Sequence, residues 1–306
     1  MAKLDKSSTV TEPRFVNTAL SATLRRDHPN SVAGFVGHNF EDGFPVWAKL
    51  PEFFGPEPVH LPWDEAFPRF KYSKGGIWKF YEANPDSEEQ FGRAMQSIDS
   101  LGGNAMAIDT PFYKFDRVID VGGSHGHFLH KVLKQNPKIK GVLMDRPQVI
   151  SNAKKLWENA KNENETSSPV TLFNDVANDR ITFVGGDFLV KEAIPVAISE
   201  RDVYHLRYIL HDWDDANVET ILKNIRHQMG NTNATLMIGE CAMPERDSIG
   251  IPATIHHIDL QMMVMFPEAK ERTPSQWKVT LANAGFELKA IHSTRSLVHY
   301  VEAIPV

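Results

Sequence analysis

The sequence predicts an α/β fold in which a mostly parallel sheet is covered by helices on both faces. From Phe115 onward, short apolar segments alternate with amphipathic segments of helical period, a pattern typical of parallel sheets. A glycine-rich turn directly follows the first apolar segment. Residues 1–114 differ, because they are rich in aromatic residues and prolines and show only patchy helical periodicity. We therefore predict two regions, 1–114 and 115–306.

The individual elements follow from the apolar patterns. Strands are predicted at 117–121, 141–145, 181–183, 203–206, 235–239, 287–292 and 299–303. Helices are predicted at 88–105, 127–135, 148–161, 216–229, 256–265 and 274–284. Asp214 and Asp215 precede the fourth helix and Gly230 follows it, as the helix dipole and C-terminal geometry favour. The sixth begins with a threonine cap, a proline and a capping-box glutamine. The polar segment 162–168 is predicted to be a loop.

Composition excludes several classes of function. The formal net charge of -6 argues against a nucleic-acid partner, which requires a basic face. No apolar segment approaches the roughly 20 residues that span a bilayer, and the charged N-terminus lacks a signal-peptide core. Cys241 is the only cysteine, so no intramolecular disulfide can form. We therefore predict a cytoplasmic protein without membrane or nucleic-acid partners.

The glycine-rich turn predicts a site for an adenosine-type ligand. The turn, Gly122-Gly-Ser-His-Gly126, lies between a strand and a helix, where a ligand can approach the backbone. It matches neither the dinucleotide fingerprint nor a phosphate-binding loop. Asp120, Asp145 and Asp187 fall at the ends of three successive strands, where carboxylates can accept hydrogen bonds from ribose and adenine. Alone, each aspartate could be a capping or loop residue and the turn merely a tight turn, but together they fit an adenosine without a phosphate tail.

A second group of polar residues follows the fourth predicted strand, at Arg207-Tyr-Ile-Leu-His211-Asp-Trp-Asp-Asp215. Taken alone, His211 could be a surface histidine or a satisfied core histidine. The neighbouring aspartates could also indicate a metal site, yet they occupy positions that a helix start favours, and no second histidine follows at ligand spacing. We predict that no metal is bound.

Taken together, these segments resemble the plant- and fungal-type small-molecule O-methyltransferases, the caffeic-acid O-methyltransferase-like family. The resemblance covers roughly residues 85–305. It rests on Asp120-Val-Gly-Gly-Ser-His-Gly126, Met144-Asp-Arg-Pro, Gly185-Gly-Asp-Phe188, His211-Asp-Trp-Asp-Asp, Gly239-Glu-Cys-Ala-Met-Pro244 and Lys270-Glu-Arg-Thr273. It implies a Rossmann-like class I methyltransferase fold behind a helical, winged-helix dimerisation region, and S-adenosylmethionine as the cofactor.

The resemblance also implies roles for individual residues. The general base would be His211, flanked by Glu240 and Glu271. The residues implied to hold S-adenosylmethionine are Gly122, Asp145, Asp187, Phe188 and Arg207. The residues implied to line the acceptor pocket are Phe91, Met95, Tyr208 and Met262. The acceptor would be a small, hydroxylated, aromatic molecule.

Proton transfer to a histidine needs help in such a reaction. A phenol with a pKa of about 10 and an imidazole near 6.5 differ by roughly 3.5 pKa units, about 5 kcal/mol against complete prior transfer. A carboxylate beside the imidazole reduces this difference by favouring its charged form. Glu240 follows strand 235–239, whose end neighbours that of strand 203–206 in the predicted sheet, so it could supply this charge.

Two departures from the family pattern affect the expectations. Arg207 stands where many family members have lysine, which alters the geometry of a cofactor contact. Family members usually have about a hundred more N-terminal residues, so we expect a truncated N-terminal region and a homodimer with a reduced or rearranged interface. Two alternatives remain open: an enzyme that uses the cofactor for decarboxylation, hydroxylation or pericyclic chemistry, and a non-catalytic partner of a longer relative.

Overall fold

A computed structural model of the protein describes residues 3–4, 15–28, 30–57, 60–159, 173, 176, 178–245, 248 and 253–306. The predicted loop 162–168 and the last two residues of the predicted helix 148–161 lie outside these described residues. Two short strands, β1 (Lys3–Leu4) and β2 (Phe15–Val16), form an antiparallel pair near the N-terminus.

The main sheet has seven strands in the order β5-β4-β3-β6-β7-β9-β8. Its strands are β3 (Arg117–Val121), β4 (Lys140–Asp145), β5 (Ile181–Gly185), β6 (Asp202–Arg207), β7 (Thr235–Cys241), β8 (Phe286–Ser293) and β9 (Val298–Pro305). The first five strands in this order pair in parallel, and β9 pairs antiparallel with both β7 and β8. The predicted mostly parallel sheet of seven strands is confirmed.

Twelve α-helices occur in the described residues. The N-terminal ones are α1 (Ala19–Ala22), α2 (Ala33–His38), α3 (Phe44–Trp47), α4 (Leu50–Phe53), α5 (Pro62–Ala66), α6 (Gly76–Ala83) and α7 (Pro85–Asp109). The others are α8 (His127–Gln135), α9 (Pro147–Asn159), α10 (Asp215–Met229), α11 (Ala253–Met265) and α12 (Pro274–Asn283). The bounds of β3 and α8 match their predictions. Most other predicted elements were one to three residues too short at an end. In the strands this is because polar end residues such as Asp202 still pair with the neighbouring strand.

The sheet is held between two hydrophobic layers. On one face, α10 buries the apolar stripe that its spacing predicted, and Val218, Ile221 and Leu222 are fully buried there. Burial of one such side chain contributes about 1.5–3 kcal/mol. On the other face, α8 packs with residues of α7 and α9. This arrangement leaves the carboxyl ends of the parallel strands free for a site.

A third hydrophobic cluster joins the N-terminal region to α11. It contains Val46, Trp63 and Tyr81 from the N-terminal helices, and Val264 and Met265 from α11. Close packing also joins α2 to α7, since a Cβ atom on Gly34 would lie 2.5 Å from the backbone carbonyl carbon of Arg93. The N-terminal helices are therefore packed onto the main body of the protein. None of the described helices is long and apolar enough to cross a membrane.

Candidate active site

The glycine-rich turn follows β3 with three residues in the left-handed region. The φ angles are +76° at Gly122, +53° at Ser124 and +83° at Gly126. A Cβ atom on Gly122 would lie 2.5 Å from Cδ1 of Ile209, so a side chain there would also have to displace that of Ile209. The Ser124 N–H donates to Oδ2 of Asp145 at 2.8 Å, which fixes the turn against the end of β4.

Asp145 keeps hydrogen-bonding capacity for a ligand. Its Oδ1 accepts from the Arg146 N–H at 2.7 Å and its Oδ2 from Ser124, but a carboxylate offers about four lone-pair positions. Burial raises the pKa of this carboxyl, although both hydrogen bonds lower it. One further acceptor position on each oxygen fits the two hydroxyls of a ribose.

Phe188 lies at the same end of the sheet. Its Cε1 is 3.8 Å from where a Cβ of Gly122 would be, and its ring meets that of Trp213 edge-on at 5.7 Å. Asp187 is exposed and its Oδ1 accepts from the Leu189 N–H at 2.8 Å. The predicted cofactor residues Gly122, Asp145 and Phe188 are thus brought together, with Asp187 beside them.

Asp120 and Arg207 make contacts within the protein. Oδ1 of Asp120 lies 2.7 Å from Nδ1 of His205, its partner in the β3–β6 register, and Asp120 is buried rather than open to the mouth of the site as we expected. Arg207 donates to Oδ1 of Asp99 at 3.1 Å, and its guanidinium lies 4.4 Å above the ring of Phe128. Nη1 of Arg207 is buried without a hydrogen-bond partner among the described residues. Its contact with the cofactor stays a prediction.

Ser124 stores backbone strain that a glycine would relieve. A left-handed conformation costs a non-glycine residue about 1–2 kcal/mol. A glycine avoids this cost, but it lowers stability by about 0.4–1 kcal/mol because it increases the conformational entropy of the unfolded chain. We expect Ser124→Gly to raise the free energy of unfolding by about 0.5–1 kcal/mol in denaturant titrations. The matched control is Ser151→Gly in α9, an exposed position in a helix, which should lose about 0.5–1 kcal/mol. A loss of stability at position 124 would contradict the strain argument.

His211 lies in a buried cluster of carboxylates. Its Nδ1 is 2.7 Å from Oε1 of Glu271 and 3.4 Å from Oε2 of Glu240, and its Nε2 is 3.5 Å from Oδ1 of Asp212. The exposed fraction is 7% for His211, 1% for Glu240 and 3% for Glu271. The backbone N–H groups of Ile209 and Leu210 donate to Oε1 of Glu240 at 3.1 and 2.9 Å. Glu240 therefore fixes the loop that carries His211.

The cluster shifts the pKa values of its members. Burial alone would lower the pKa of His211, but Glu240, Glu271 and Asp212 outweigh it and raise this pKa to about 10. Burial raises the pKa of Asp212 to about 7 and that of Glu240 to about 6, against the opposing charge of His211. The imidazole is consequently protonated at neutral pH in the absence of an acceptor.

This shift makes stability depend on alkaline pH. The folded-state pKa of His211, about 10, lies above its unfolded value near 6.5, so its stabilising contribution is complete below pH 6.5 and is lost as pH rises through about 10. We expect the free energy of unfolding to fall between pH 7 and about 10, and this fall to be smaller in His211→Gln. Equal slopes in both proteins would show that His211 is not the group responsible.

The donor atoms of His211, Glu240 and Glu271 lie within 4.8 Å of one another, a spacing that a metal ion can also use. Glu271 accepts directly from Nδ1, however, and Oε1 of Glu240 is already used by two backbone N–H groups. A metal bound through Nδ1 would displace the first of these hydrogen bonds, whereas Oε2 of Glu240 and Oε2 of Glu271 are buried without a hydrogen-bond partner among the described residues. The absence of a metal stays a prediction.

Arg272 holds the two loops of the cluster together. Its Nη1 donates to the carbonyl of Leu210 at 3.0 Å, and its Nη2 to the carbonyl of Trp213 at 3.1 Å and to Asp215 at 2.8 Å. Only 1% of this residue is exposed. Arg272 belongs to a predicted motif but has no role predicted from the sequence, because an arginine between polar residues gives no sign that it is buried.

We expect Arg272→Lys to lower the free energy of unfolding by about 2–4 kcal/mol, since a lysine amine cannot reach both carbonyls and leaves a buried acceptor unpaired. Thermal unfolding would measure this change. Arg226→Lys is the control, because Arg226 donates to the carbonyl of Gly230 at an exposed position, and we expect a change within about 0.5 kcal/mol. Equal effects at both positions would refute the role of Arg272.

Three of the predicted acceptor residues lie in aromatic or methionine-rich surroundings. Tyr208 has a φ of +57°, and its ring lies over His211 with centroids 5.8 Å apart and planes at 29°. Such strain in a non-glycine residue is concentrated at functional sites. Phe91 stacks on Tyr81 at 5.0 Å, and Met262 packs against the third cluster. Met95 is half-buried one helical turn after Phe91 on α7.

Other aromatic residues lie beside the predicted acceptor residues and were not predicted from the sequence. Trp78 meets Phe91 edge-on at 6.2 Å and contacts Phe266 at the same distance. The guanidinium of Arg146, next to Asp145, lies 5.2 Å from the Trp78 ring, and Arg146 also pairs with Glu88 at 3.2 Å. The sequence shows that aromatic residues are frequent in the N-terminal region. It does not show which of these rings lies at the site.

Comparison with known proteins agrees with this geometry. Residues 47–287 match the family model of the O-methyltransferase domain. The chain is 29% identical over 299 residues to a phenazine O-methyltransferase from Lysobacter antibioticus, covering 97% of this chain and 78% of that protein. It is 31% identical over 226 residues to O-methyltransferase 12 from Dictyostelium discoideum, covering 72% of this chain but only 53% of that longer protein.

The fold is shared with solved structures of similar proteins. The structure of a mitomycin 7-O-methyltransferase superposes with a TM-score of 0.75 at 26% identity, covering 95% of this chain and 77% of that one. The helices around a mixed seven-stranded sheet are those of class I methyltransferases, as predicted. The chain therefore belongs to the O-methyltransferase family of S-adenosylmethionine-dependent enzymes.

Proposed function

We propose that the protein transfers the methyl group of S-adenosylmethionine to a phenolic hydroxyl of a small aromatic molecule, with His211 as general base. The observation that carries this proposal is the buried imidazole of His211 between Glu240 and Glu271. It lies in the loop after β6, beside the strand that leads into the glycine-rich turn. The methylated hydroxyl and the cofactor would therefore meet at this end of the sheet.

The residues at the turn fit the cofactor. Gly122 leaves room that a Cβ atom would fill, Asp145 has free acceptor positions for the ribose, and Phe188 offers a ring to the adenine. Bound S-adenosylmethionine supplies an electrophilic methyl group on a sulfonium. The protein's contribution to an in-line displacement is chiefly to hold the acceptor oxygen in position.

His211 is suited to take the proton of the acceptor. Oε1 of Glu271 accepts from Nδ1, so Nδ1 carries a hydrogen, and Nε2 of the neutral imidazole offers a lone pair on the side of Asp212. With the pKa of His211 at about 10, the proton of a phenol with pKa about 10 is shared almost evenly with Nε2. The deficit of about 5 kcal/mol for direct transfer to an unassisted histidine is thereby reduced, but below about pH 10 His211 must first lose the proton that it already holds.

The aromatic wall supports an aromatic acceptor. Tyr208, Phe91 and Trp78 present flat apolar surfaces, which favour stacked or edge-on rings. The names of the phenazine and mitomycin relatives also indicate ring-bearing natural products as acceptors of those proteins.

Isotope-labelled cofactor tests the proposal. The protein would be incubated with methyl-labelled S-adenosylmethionine and matched pairs of phenols and their methyl ethers. Label in the product of a phenol, but not from its ether, supports hydroxyl methylation. Cofactor binding without transfer to any phenol would contradict the proposal and favour a repurposed enzyme or a non-catalytic partner.

We also propose a homodimer with a reduced or rearranged interface. Phe40, Phe44 and Phe54 are 69%, 64% and 66% exposed in the monomer, more apolar surface than isolated side chains normally present. Light scattering over a range of concentrations would test this, with Phe40→Ser/Phe44→Ser expected to shift the protein towards the monomer. A monomer at all concentrations would contradict the proposal.

The predicted cytoplasmic location remains part of this proposal. Cys241 is buried and unpaired, which suits a reducing compartment. Localisation of a tagged full-length protein would test it.

A further inference from the structure

A second histidine with a carboxylate partner lies apart from His211. Nδ1 of His38, at the end of α2, is 3.1 Å from Oδ2 of Asp42 in the following π-helical turn (Asn39–Gly43). The hydroxyl of Tyr81 donates to the same oxygen at 2.9 Å. His38 is 9% exposed and Asp42 2%. A carboxylate that orients one imidazole nitrogen is the arrangement by which proteins present the other nitrogen to a ligand.

The other nitrogen of His38 is free to bind. Among the described residues, the hydrogen bond to Asp42 is the one that His38 makes, and its ring also meets Phe91. The side chain of His38 is 11% exposed, so a ligand can reach the nitrogen that Asp42 does not contact.

The pair borders the wall assigned to the acceptor. The rings of His38 and Phe91 meet edge-on at 5.4 Å, and Phe91 stacks on Tyr81. A Cβ atom on Gly43 would lie 3.9 Å from Nε2 of Gln261, the residue before Met262. His38 thus contacts one predicted acceptor residue, Phe91, and the turn that follows α2 lies against α11.

Electrostatics links this pair to the other end of the pocket. Burial, Asp42 and also Asp212 raise the pKa of Tyr81, so its hydroxyl lies within reach of the charges of both carboxylates. Asp212 follows His211 directly. Tyr81 is therefore hydrogen-bonded to the carboxylate of one histidine–carboxylate group and lies within electrostatic range of the other.

We propose that Nε2 of His38 binds a second hydroxyl of the acceptor, at the end of the ring system remote from the methylated one. This inference rests on the proposed function. A hydroxyl can donate to Nε2 of the neutral imidazole and accept from the protonated one, so it fits either form. A carboxylate fits only the protonated form and would lie near the buried charge of Asp42. The geometry therefore favours an acceptor with two hydroxyls over an acid.

Three naphthalenes test this assignment: 2,6-dihydroxynaphthalene, 2-naphthol and 6-hydroxy-2-naphthoic acid. For the unmodified protein we expect kcat/KM to be at least about tenfold higher for the diol than for 2-naphthol, since a site built to bind a hydroxyl discriminates against its absence. A preference for the acid would overturn the assignment of a hydroxyl.

Two variants separate binding from structure. In His38→Asn the amide can keep the contact with Asp42 but loses the atom at the Nε2 position, whereas in His38→Gln the longer amide restores a polar group there. We expect His38→Asn to raise KM for the diol until kcat/KM is about the same for the diol and for 2-naphthol. The value of kcat/KM for 2-naphthol should stay within about twofold of that of the unmodified protein. His38→Gln should restore part of the preference. An unchanged preference in His38→Asn, or an equal loss for all three compounds, would overturn the inference.

Binding distinguishes a failure of this inference from a failure of the proposed function. The affinities of the three compounds for protein saturated with S-adenosylhomocysteine can be measured by calorimetry without turnover. Suppose that no compound is methylated, that the diol binds at least about tenfold more tightly than 2-naphthol, and that His38→Asn removes this difference whereas His38→Gln does not. The hydroxyl site would then be supported, and the proposed function would fail. Equal affinities would refute the site itself.

Discussion

Turnover of His211→Ala is expected to be at least about a hundredfold lower than that of the unmodified protein, the usual scale for loss of a general base. The variant removes the atom that takes the proton and leaves Glu240 and Glu271 without their counter-charge. Affinity for the cofactor should change little, because Asp145 and Gly122 make no contact with the imidazole. Initial rates with labelled cofactor, together with calorimetry, would measure both quantities.

The pH profile distinguishes a base from a residue that merely packs. Below about pH 10, both His211 and the phenol carry their protons. Methyl transfer requires that one of these two protons has been lost. We therefore expect kcat/KM to rise about tenfold per pH unit between pH 7 and 9. Glu271→Gln keeps an acceptor for Nδ1 but removes a charge, so it should lower the pKa of His211 and move this rise to lower pH. A pH-independent rate, or a collapse of cofactor binding in His211→Ala, would exclude the role of base.

The cofactor site should respond most to Asp145. We expect Asp145→Ala to weaken S-adenosylmethionine and S-adenosylhomocysteine by similar factors, because both have the ribose that this carboxylate is proposed to hold. Loss of two charge-assisted hydrogen bonds in a buried site corresponds to about 2–4 kcal/mol. Calorimetry with both ligands gives the two factors directly.

The control for Asp145→Ala is Asp145→Asn, which keeps the shape and one oxygen that can accept from the Ser124 N–H. It separates ribose binding from support of the glycine-rich turn. We expect an intermediate loss of affinity and a melting temperature somewhat below normal, because the amide nitrogen would face the N–H of Arg146. Unchanged affinity for both ligands in Asp145→Ala would remove this residue from the site.

The sheet could be predicted from the sequence because its strands are buried on both faces and therefore appear as short apolar segments. Val118, Ile119 and Val121 of β3 show why, since all three are almost fully buried. The antiparallel pairing of β9 could not be read from such a pattern. It depends on the direction in which the chain returns after α12, which is a property of the connection rather than of the strand.

The site was predicted unevenly for a similar reason. His211, Glu240 and Glu271 were expected close together, and the structure places them in contact, because two of them follow neighbouring strands. Asp120 is more buried than expected, with Oδ1 beside His205 and Oδ2 against Gly123 of the turn, so its contact with a ligand stays a prediction. Arg272, and the Asp42–Tyr81 hydrogen bond that spans 39 positions, depend on tertiary packing that no local pattern encodes.

The third hydrophobic cluster contains no residue of the sheet, and this separation has an evolutionary consequence. If these residues line the acceptor, as proposed, mutations among them would reshape its wall while the glycine-rich turn and Asp145 at the end of β4 stay in place. A lineage can thus exchange one acceptor for another by drift in a few helices, without an intermediate that has lost its methyl donor. Selection for a new acceptor would accordingly leave most of its substitutions between positions 46 and 91 and along α11.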